Sequence, residues 1–457
     1  MKILFGTLPR VIAAVAGLSF AAVPATAETL ADALAYGYEH SGLLEQNRAL
    51  LRAADEDVAQ AMAALMPVIN WSASAQSALG SGPAGADLVS GSLVLSAQLT
   101  LYDGGATQLA IDAQKESVLA TRASLLNVEE QVLLRVVEAY MNVRRAHEFV
   151  TLRQSNVRLI TQELRAARDR FEVGEITRTD VSLAEARLAA ARSQLSAEEG
   201  SLVRSYEEYN VAVGRRPSNL QWAAPVRLQY SINQSKDIAM RSHPLVAQSQ
   251  HAVAAAELNI LRAEAALRPT LTVSGQLAVD EDFSGSRGIS LNLGGPIYQG
   301  GRLSSQIRQF MLRRDATRSG LHITVQGVAQ NVGNAYSFLE VARASRDAFE
   351  RQVQASTVAF SGIREEATLG ARTTLDVLNA EQELLDARAN LISSQVDETI
   401  ASYAVLSSMG QLTAQSLQLH VQIYDPAAYY NLVRNAPTAT SEQGRALDRV
   451  LEALGEQ

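Results

Sequence analysis

The chain has 457 residues, 47% of them apolar but only 5% aromatic, a formal charge of −8 and no cysteine. The acidic balance argues against nucleic acid, which calls for a basic stripe. Without cysteine, neither a disulfide nor lipid attachment at an amino-terminal cysteine is possible.

The amino terminus reads as an export signal. Lys2 and Arg10 precede an apolar run from Val11 to Val23, and Ala25, Thr26 and Ala27 put small residues where a signal peptidase reads. The run is short of the ~20 residues a spanning helix needs. Residues 1–27 are therefore expected to be a cleaved signal peptide, with an unlipidated mature chain beginning at Glu28. No later apolar stretch approaches a transmembrane helix in length, so any membrane crossing falls to strands.

A helix is predicted over 30–65 and stops at Pro67. Ile69, Trp71, Ala73 and Ala75 then alternate with Asn70, Ser72, Ser74 and Gln76. On the return, Leu93, Leu95, Ala97, Leu99 and Leu101 alternate with Val94, Ser96, Gln98, Thr100 and Tyr102. This is one hairpin, 67–102. A helix over 106–171, a turn at Gly174 and a helix over 178–213 follow, the last with Val181, Leu188, Leu195, Leu202 and Tyr209 at coiled-coil spacing. Beyond a linker around Pro217 and Pro225 the order returns: helix 235–267, Pro269, hairpin 269–298, helix 302–367, turn at Gly370, helix 373–409. In the second hairpin Leu271, Val273 and Leu277, then Ile289, Leu291 and Leu293, carry the apolar alternation. The tail suggests a short strand at 417–424 and a mobile segment from Pro437.

This return is a repeat at an offset of 196 residues from about residue 100 onward. Tyr102, Gly104 and Gly105 answer to Tyr298, Gly300 and Gly301. Gly174, Thr177, Asp180, Val181, Ala184 and Glu185 answer to Gly370, Thr373, Asp376, Val377, Ala380 and Glu381. Each copy has 69 residues from its first glycine to its turn glycine with no proline between, which predicts a helix about 100 Å long. The organisation expected is a first repeat over 28–230, a second over 231–410 and a carboxy-terminal equatorial segment over 411–457. The fold class is mainly α with a β-barrel part. Alternation with small polar residues suits a barrel with lipid outside and water inside, a soluble hairpin packed on a core being the alternative. Four strands cannot close a barrel, so membrane-spanning strands require oligomerisation.

The hairpin ending Ile297, Tyr298, Gln299, Gly300, Gly301, the two long repeats, and the turns Phe171 to Gly174 and Leu369 to Leu378 resemble the TolC family of outer-membrane efflux proteins. The resemblance implies a homotrimer in the outer membrane of a Gram-negative bacterium. In it, three protomers give four strands each to a 12-stranded barrel, and twelve helices continue it as a tunnel through the periplasm. Implied partners are outer-membrane lipid, a periplasmic membrane-fusion adaptor and an inner-membrane transporter of ABC or RND type. The run Tyr403 to Thr413 is similar to the branch serving type I secretion. Carried over by position, Val173, Gly174, Leu369 and Gly370 become adaptor-facing tips, Asp376 an acidic ring residue, and Arg372 with Asp180 a latch holding the entrance shut. The chain departs from the family where Asn379 replaces a second ring aspartate, Ala367 a latch tyrosine and Glu175 a tip leucine. A ring of three carboxylates attracts cations less than one of six. A periplasmic adaptor or coiled-coil scaffold without a channel is the alternative, against which stand the paired hairpins and the want of a lipoyl-like β domain.

Signals for catalysis fail. Gly80 to Gly85 matches the dinucleotide fingerprint by letters but lies between antiparallel strands with no following helix for a pyrophosphate. The six histidines show no zinc spacing, and Asn70, Trp71, Ser72 is a glycosylation sequon on a strand. The chain is expected to be no enzyme and to carry neither cofactor nor metal.

Overall fold

The computed structural model describes residues 27–78, 88–280 and 282–455. The signal segment up to residue 26 and the Gly80 to Gly85 loop lie outside the described residues. The elements run α1 (Leu30–His40), α2 (Gly42–Ala63), β1 (Val68–Ala78), β2 (Leu88–Tyr102), α3 (Ala106–Glu172), α4 (Arg178–Val213), α5 (Ile232–Ser242), α6 (Pro244–Ala265), β3 (Thr270–Asp280), β4 (Gly285–Gly294), α7 (Arg302–Thr368), α8 (Thr374–Ser408), α9 (Ala428–Val433) and α10 (Glu442–Gly455).

The repeat survives in three dimensions. Helices α3 and α7 each have 67 residues, and each starts from a left-handed glycine, Gly105 (φ 89°) and Gly301 (φ 82°). Each helix expected to precede a hairpin is in fact two helices. Ser41 turns to extended backbone and accepts from the Leu44 N–H, and His243 does the same before Pro244. These two breaks, like Pro67 and Pro269, are 202 residues apart. The offset falls to 196 beyond the hairpins because the first hairpin is the longer.

The four strands form one antiparallel sheet in chain order, β1-β2-β3-β4. Its register lines up Trp71, Leu95, Leu277 and Arg287 in one row, and Ile69, Ala97, Gly275 and Ile289 in the row beside it. Odd positions therefore share one face, almost wholly apolar. The other face carries hydroxyls and amides that bond across strands, as in Ser74 with Ser92 at 2.8 Å and Ser274 with Ser290 at 2.7 Å. No core backs the apolar face: Trp71 is 73% exposed and Ile289 87%. Among the described residues of the chain, then, neither hairpin packs on a core. A sheet this apolar on an open face, with open edges at β1 and β4, suits lipid only once its edges are paired.

Beyond the sheet α3 pairs with α4 and α7 with α8, while α6 packs against both α3 and α7. The largest core joins α1 to α4 with the end of α8, around Leu51, Leu133, Val136, Tyr140, Tyr209 and Leu412. A second core surrounds Val332, Leu339 and Val405, and a third, near the far turns, surrounds Ile160, Leu164, Leu188 and Leu378. In the tail, 417–424 is not a strand. It runs as turns and extended chain, with Leu417, Leu419, Val421 and Tyr424 packed on the largest core. The segment beyond Pro437 forms α10, whose Leu447 is buried with Ala59, Tyr429 and Val433.

Candidate functional site

The two helical hairpins end in tips built by the same local rules. In the first, α3 stops at Val173, and Gly174 takes φ 80° so that its N–H and that of Glu175 reach the Phe171 and Arg170 carbonyls. In the second, α7 stops at Leu369, Gly370 takes φ 78°, and the Gly370 and Ala371 N–H groups reach Ala367 and Glu366. A side chain resists this left-handed backbone, which is the requirement for glycine. The returning helices start from reciprocal caps. The Thr177 N–H and hydroxyl donate to the Asp180 carboxylate at 3.0 and 2.7 Å, and those of Thr373 to Asp376 at 3.0 and 2.9 Å. Those hydrogen bonds hold both aspartates below the usual carboxylate range. Val173 and Leu369 are left 72% and 84% exposed. They are apolar points at the ends of two rods.

Between them the tips reverse charge. Arg170, in the last turn of α3, pairs at 3.0 Å with Glu175 in the turn. At the equivalent place in α7 stands Glu366, which pairs at 2.8 Å with Arg372 in the turn. Each tip thus has one ion pair of opposite polarity, although the 196-residue offset aligns Glu175 with Ala371 and Arg372 with Ile176, so only the helix-end partners are equivalent. Arg372 and Asp180, the expected latch, thus each have a partner within their own tip of one protomer. Asn379 accepts from Arg187 at 3.1 Å and ties α8 to α4. Ala367 is buried at the edge of a cleft of about 480 Å³ between the tips, whose walls also carry Glu163, Arg170, Glu175 and Arg364. Glu163 and Arg364 bridge α3 to α7 at 3.4 Å.

One group the sequence did not suggest lies higher in the same seam. Glu381 of α8 is buried against α3, where Asn156 Nδ2 donates to one carboxylate oxygen at 2.6 Å and the other oxygen has no partner. Burial is the main cause that pushes its pKa up to about 7. Asn156 and Arg364 oppose this and Glu163 adds to it. The 196-residue offset pairs Glu381 with Glu185, which instead meets Arg168 at 2.6 Å on an exposed face, so the repeat gave no hint of burial. Among the described residues no group of three His, Asp or Glu could hold a metal, and no helix is long and apolar enough to cross a membrane.

Comparison with known proteins agrees with this architecture. The family model for outer membrane efflux protein matches residues 39–215 and 237–411, one block per repeat. The outer membrane efflux protein BepC of Brucella suis biovar 1 (strain 1330) is 35% identical over 421 residues, covering 90% of this chain and 91% of that one. The outer membrane protein TolC of Vibrio cholerae serotype O1 is 25% identical over 431 residues, covering 90% and 96%. The crystal structure of the Campylobacter jejuni CmeC outer membrane channel superposes with a TM-score of 0.75 at 15% identity, covering 90% of each chain. The chain belongs to the outer membrane efflux protein family.

Proposed function

We propose that three copies of this chain assemble into one passive export duct of the outer membrane. The observation that carries the reading is the sheet: four strands, apolar on one face, with two edges that lipid cannot satisfy. Pairing β4 of one copy with β1 of the next removes every edge at twelve strands. The helices support the same assembly. Helix α7 leaves Leu312, Ile323, Phe338 and Val341 each more than 60% exposed. Ile323 and Val341 are 18 residues, or five turns, apart and so share a face. Such a stripe suits a seam with a neighbouring copy.

In this reading the hydroxyl and amide face of the sheet lines a watery lumen, and the helices extend it through the periplasm. The exposed tips at Val173, Gly174, Leu369 and Gly370 receive a periplasmic adaptor, which joins the duct to an energy-supplying inner-membrane transporter of ABC or RND type. Protein or small toxic molecules pass through, and the chain performs no catalysis. Arg372 and Asp180 of neighbouring protomers latch the entrance, with Asp376 as a ring of three carboxylates and Asn379 beside it. The test of assembly is native mass spectrometry and planar-bilayer recording of protein taken from outer membranes in mild detergent. Trimers that alone conduct are expected. A monodisperse, conducting monomer overturns the proposal.

A further inference from the structure

The apolar face of the sheet has a hollow and a charge side by side. In the row Ile69, Ala97, Gly275, Ile289, the two central positions are the smallest side chains between two large ones. The next row outward holds Leu95 and Leu277 and ends in Arg287. Together these residues line a trough of about 590 Å³, within the range of about 300 to 1,000 Å³ typical of ligand sites. Gly275 is not dictated by its backbone, which is ordinary paired strand, nor by crowding, since a Cβ there meets nothing within 4 Å. Its effect is to leave the trough open.

Arg287 is the only charged side chain on this face among the described residues, and none of them supplies it with a carboxylate partner. It is third in β4, next to the β3–β4 turn at the end of the sheet away from the helices. Counting seven residues from Gly294, at about 3.3 Å each and a tilt of about 40°, puts its backbone roughly 18 Å up an apolar band about 25 Å tall. From there a guanidinium reaches the outer headgroups along its own stem. An unpaired cation on a lipid face is unfavourable, more so with depth, and an anion offsets this.

We propose that the trough and Arg287 bind one anionic amphiphile of the outer leaflet per protomer. Its acyl chain lies over Ala97 and Gly275, and its phosphate pairs with Arg287. The proposal rests on the barrel reading above. A membrane phosphate, not free phosphate, is the occupant, because the trough is apolar beside a single cation.

The test reconstitutes purified protein in nanodiscs of phosphatidylglycerol and phosphatidylcholine, counts retained lipids by native mass spectrometry and records channels in parallel. Wild type is expected to retain up to three phosphatidylglycerols with about tenfold preference over phosphatidylcholine. Arg287→Gln abolishes the preference and Arg287→Lys restores most of it. Gly275→Leu, which fills the trough, lowers retention of both lipids while trimer and conductance stay at wild-type level. Equal retention and equal preference in conducting trimers of all four proteins overturns the site. Displacement of lipid by 10 mM inorganic phosphate, on the order of tenfold above a weak millimolar affinity, also overturns it. Absence of any conducting trimer, by contrast, overturns the barrel itself.

Discussion

Replacing Glu381 by Gln should remove a pH dependence that one buried carboxyl gives the tunnel. In the folded chain its pKa is pushed up to about 7 from the usual 4.5 of an exposed glutamate, with burial the largest cause and one oxygen left without a partner. A raised carboxyl pKa means that the folded state keeps a proton the unfolded chain releases. Stability is then full below about pH 4.5 and falls as pH rises to about 7, above which both states are ionised. The gap corresponds to at most about 3 to 4 kcal/mol at 1.36 kcal/mol per unit, and roughly 2 once screening by solvent is allowed for. The cost of charging Glu381 comes from its burial in the α3–α8 contact, because the Asn156 hydrogen bond itself favours the carboxylate. The assay is apparent melting temperature in detergent at one scan rate, at half-unit steps from pH 5 to 8. Wild type should lose stability steadily across the range, because Asp55, pushed up to about 6, and Glu130, pushed up to about 9, titrate as well as Glu381; Glu381→Gln should fall less steeply, by about 2 °C over the range, and exceed wild type at pH 8. Arg364→Gln, which removes a nearby cation, should move the wild-type transition to higher pH. An unchanged slope in Glu381→Gln refutes the reasoning, since the titrating group then lies elsewhere.

Three further outcomes follow from the geometry. Glu28→Ala should lower stability by roughly 1 to 3 kcal/mol, measured by denaturant or thermal unfolding, because it strands the Tyr209 hydroxyl (2.6 Å), the Arg215 guanidinium (2.6 Å) and the Ser218 hydroxyl (3.0 Å) that donate to its carboxylate. Asp376→Asn should reduce cation preference while keeping the cap on Thr373, whereas Asp376→Ala should lose both the charge and the cap; equal melting temperatures for the two variants would contradict the capping role. Arg372→Ser should raise single-channel conductance and uptake of bulky antibiotics without weakening the trimer, and wild-type values in both assays would place the gate elsewhere.

Most of the architecture was legible because it rests on local rules the chain states twice. Alternation set the strands, including which face is apolar, and glycine followed by threonine and aspartate set both tips. The breaks at Ser41 and His243 were missed because apolar spacing runs across them, although Ser41 at a cap and Pro244 at a first helical position were signals in plain view. The apolar alternation of Leu417, Leu419 and Val421 looked like a strand, but the segment runs as turns whose Leu417, Leu419, Val421 and Tyr424 pack on the core, while Ile423 stays exposed. Glu381 was invisible for a different reason. It sits beside Leu384 and Leu385, and which face of α8 meets α3 depends on a contact between elements far apart in sequence.

The tips carry that lesson one step further. Asp180 and Asp376 are equivalent by the repeat, and both are fully employed as caps, so a functional role for either adds to a structural one and does not replace it. What distinguishes the tips is the reversed ion pair: Arg170 with Glu175 in one, Glu366 with Arg372 in the other. In a closed ring of three protomers the two kinds of tip alternate, so each turn that presents an acid neighbours turns that present a base. Neighbouring tips then attract around the whole ring, whereas identical tips would repel. On this account closure is a property of six tips acting together, and Arg372 matters by giving up an intramolecular partner of its own, Glu366, for one across the seam. Salt should therefore weaken closure in the wild type and have little effect in Arg372→Ser, read as the conductance change between low and high ionic strength after scaling for bulk conductivity. A wild-type channel whose scaled conductance does not depend on salt would rule out this electrostatic closure.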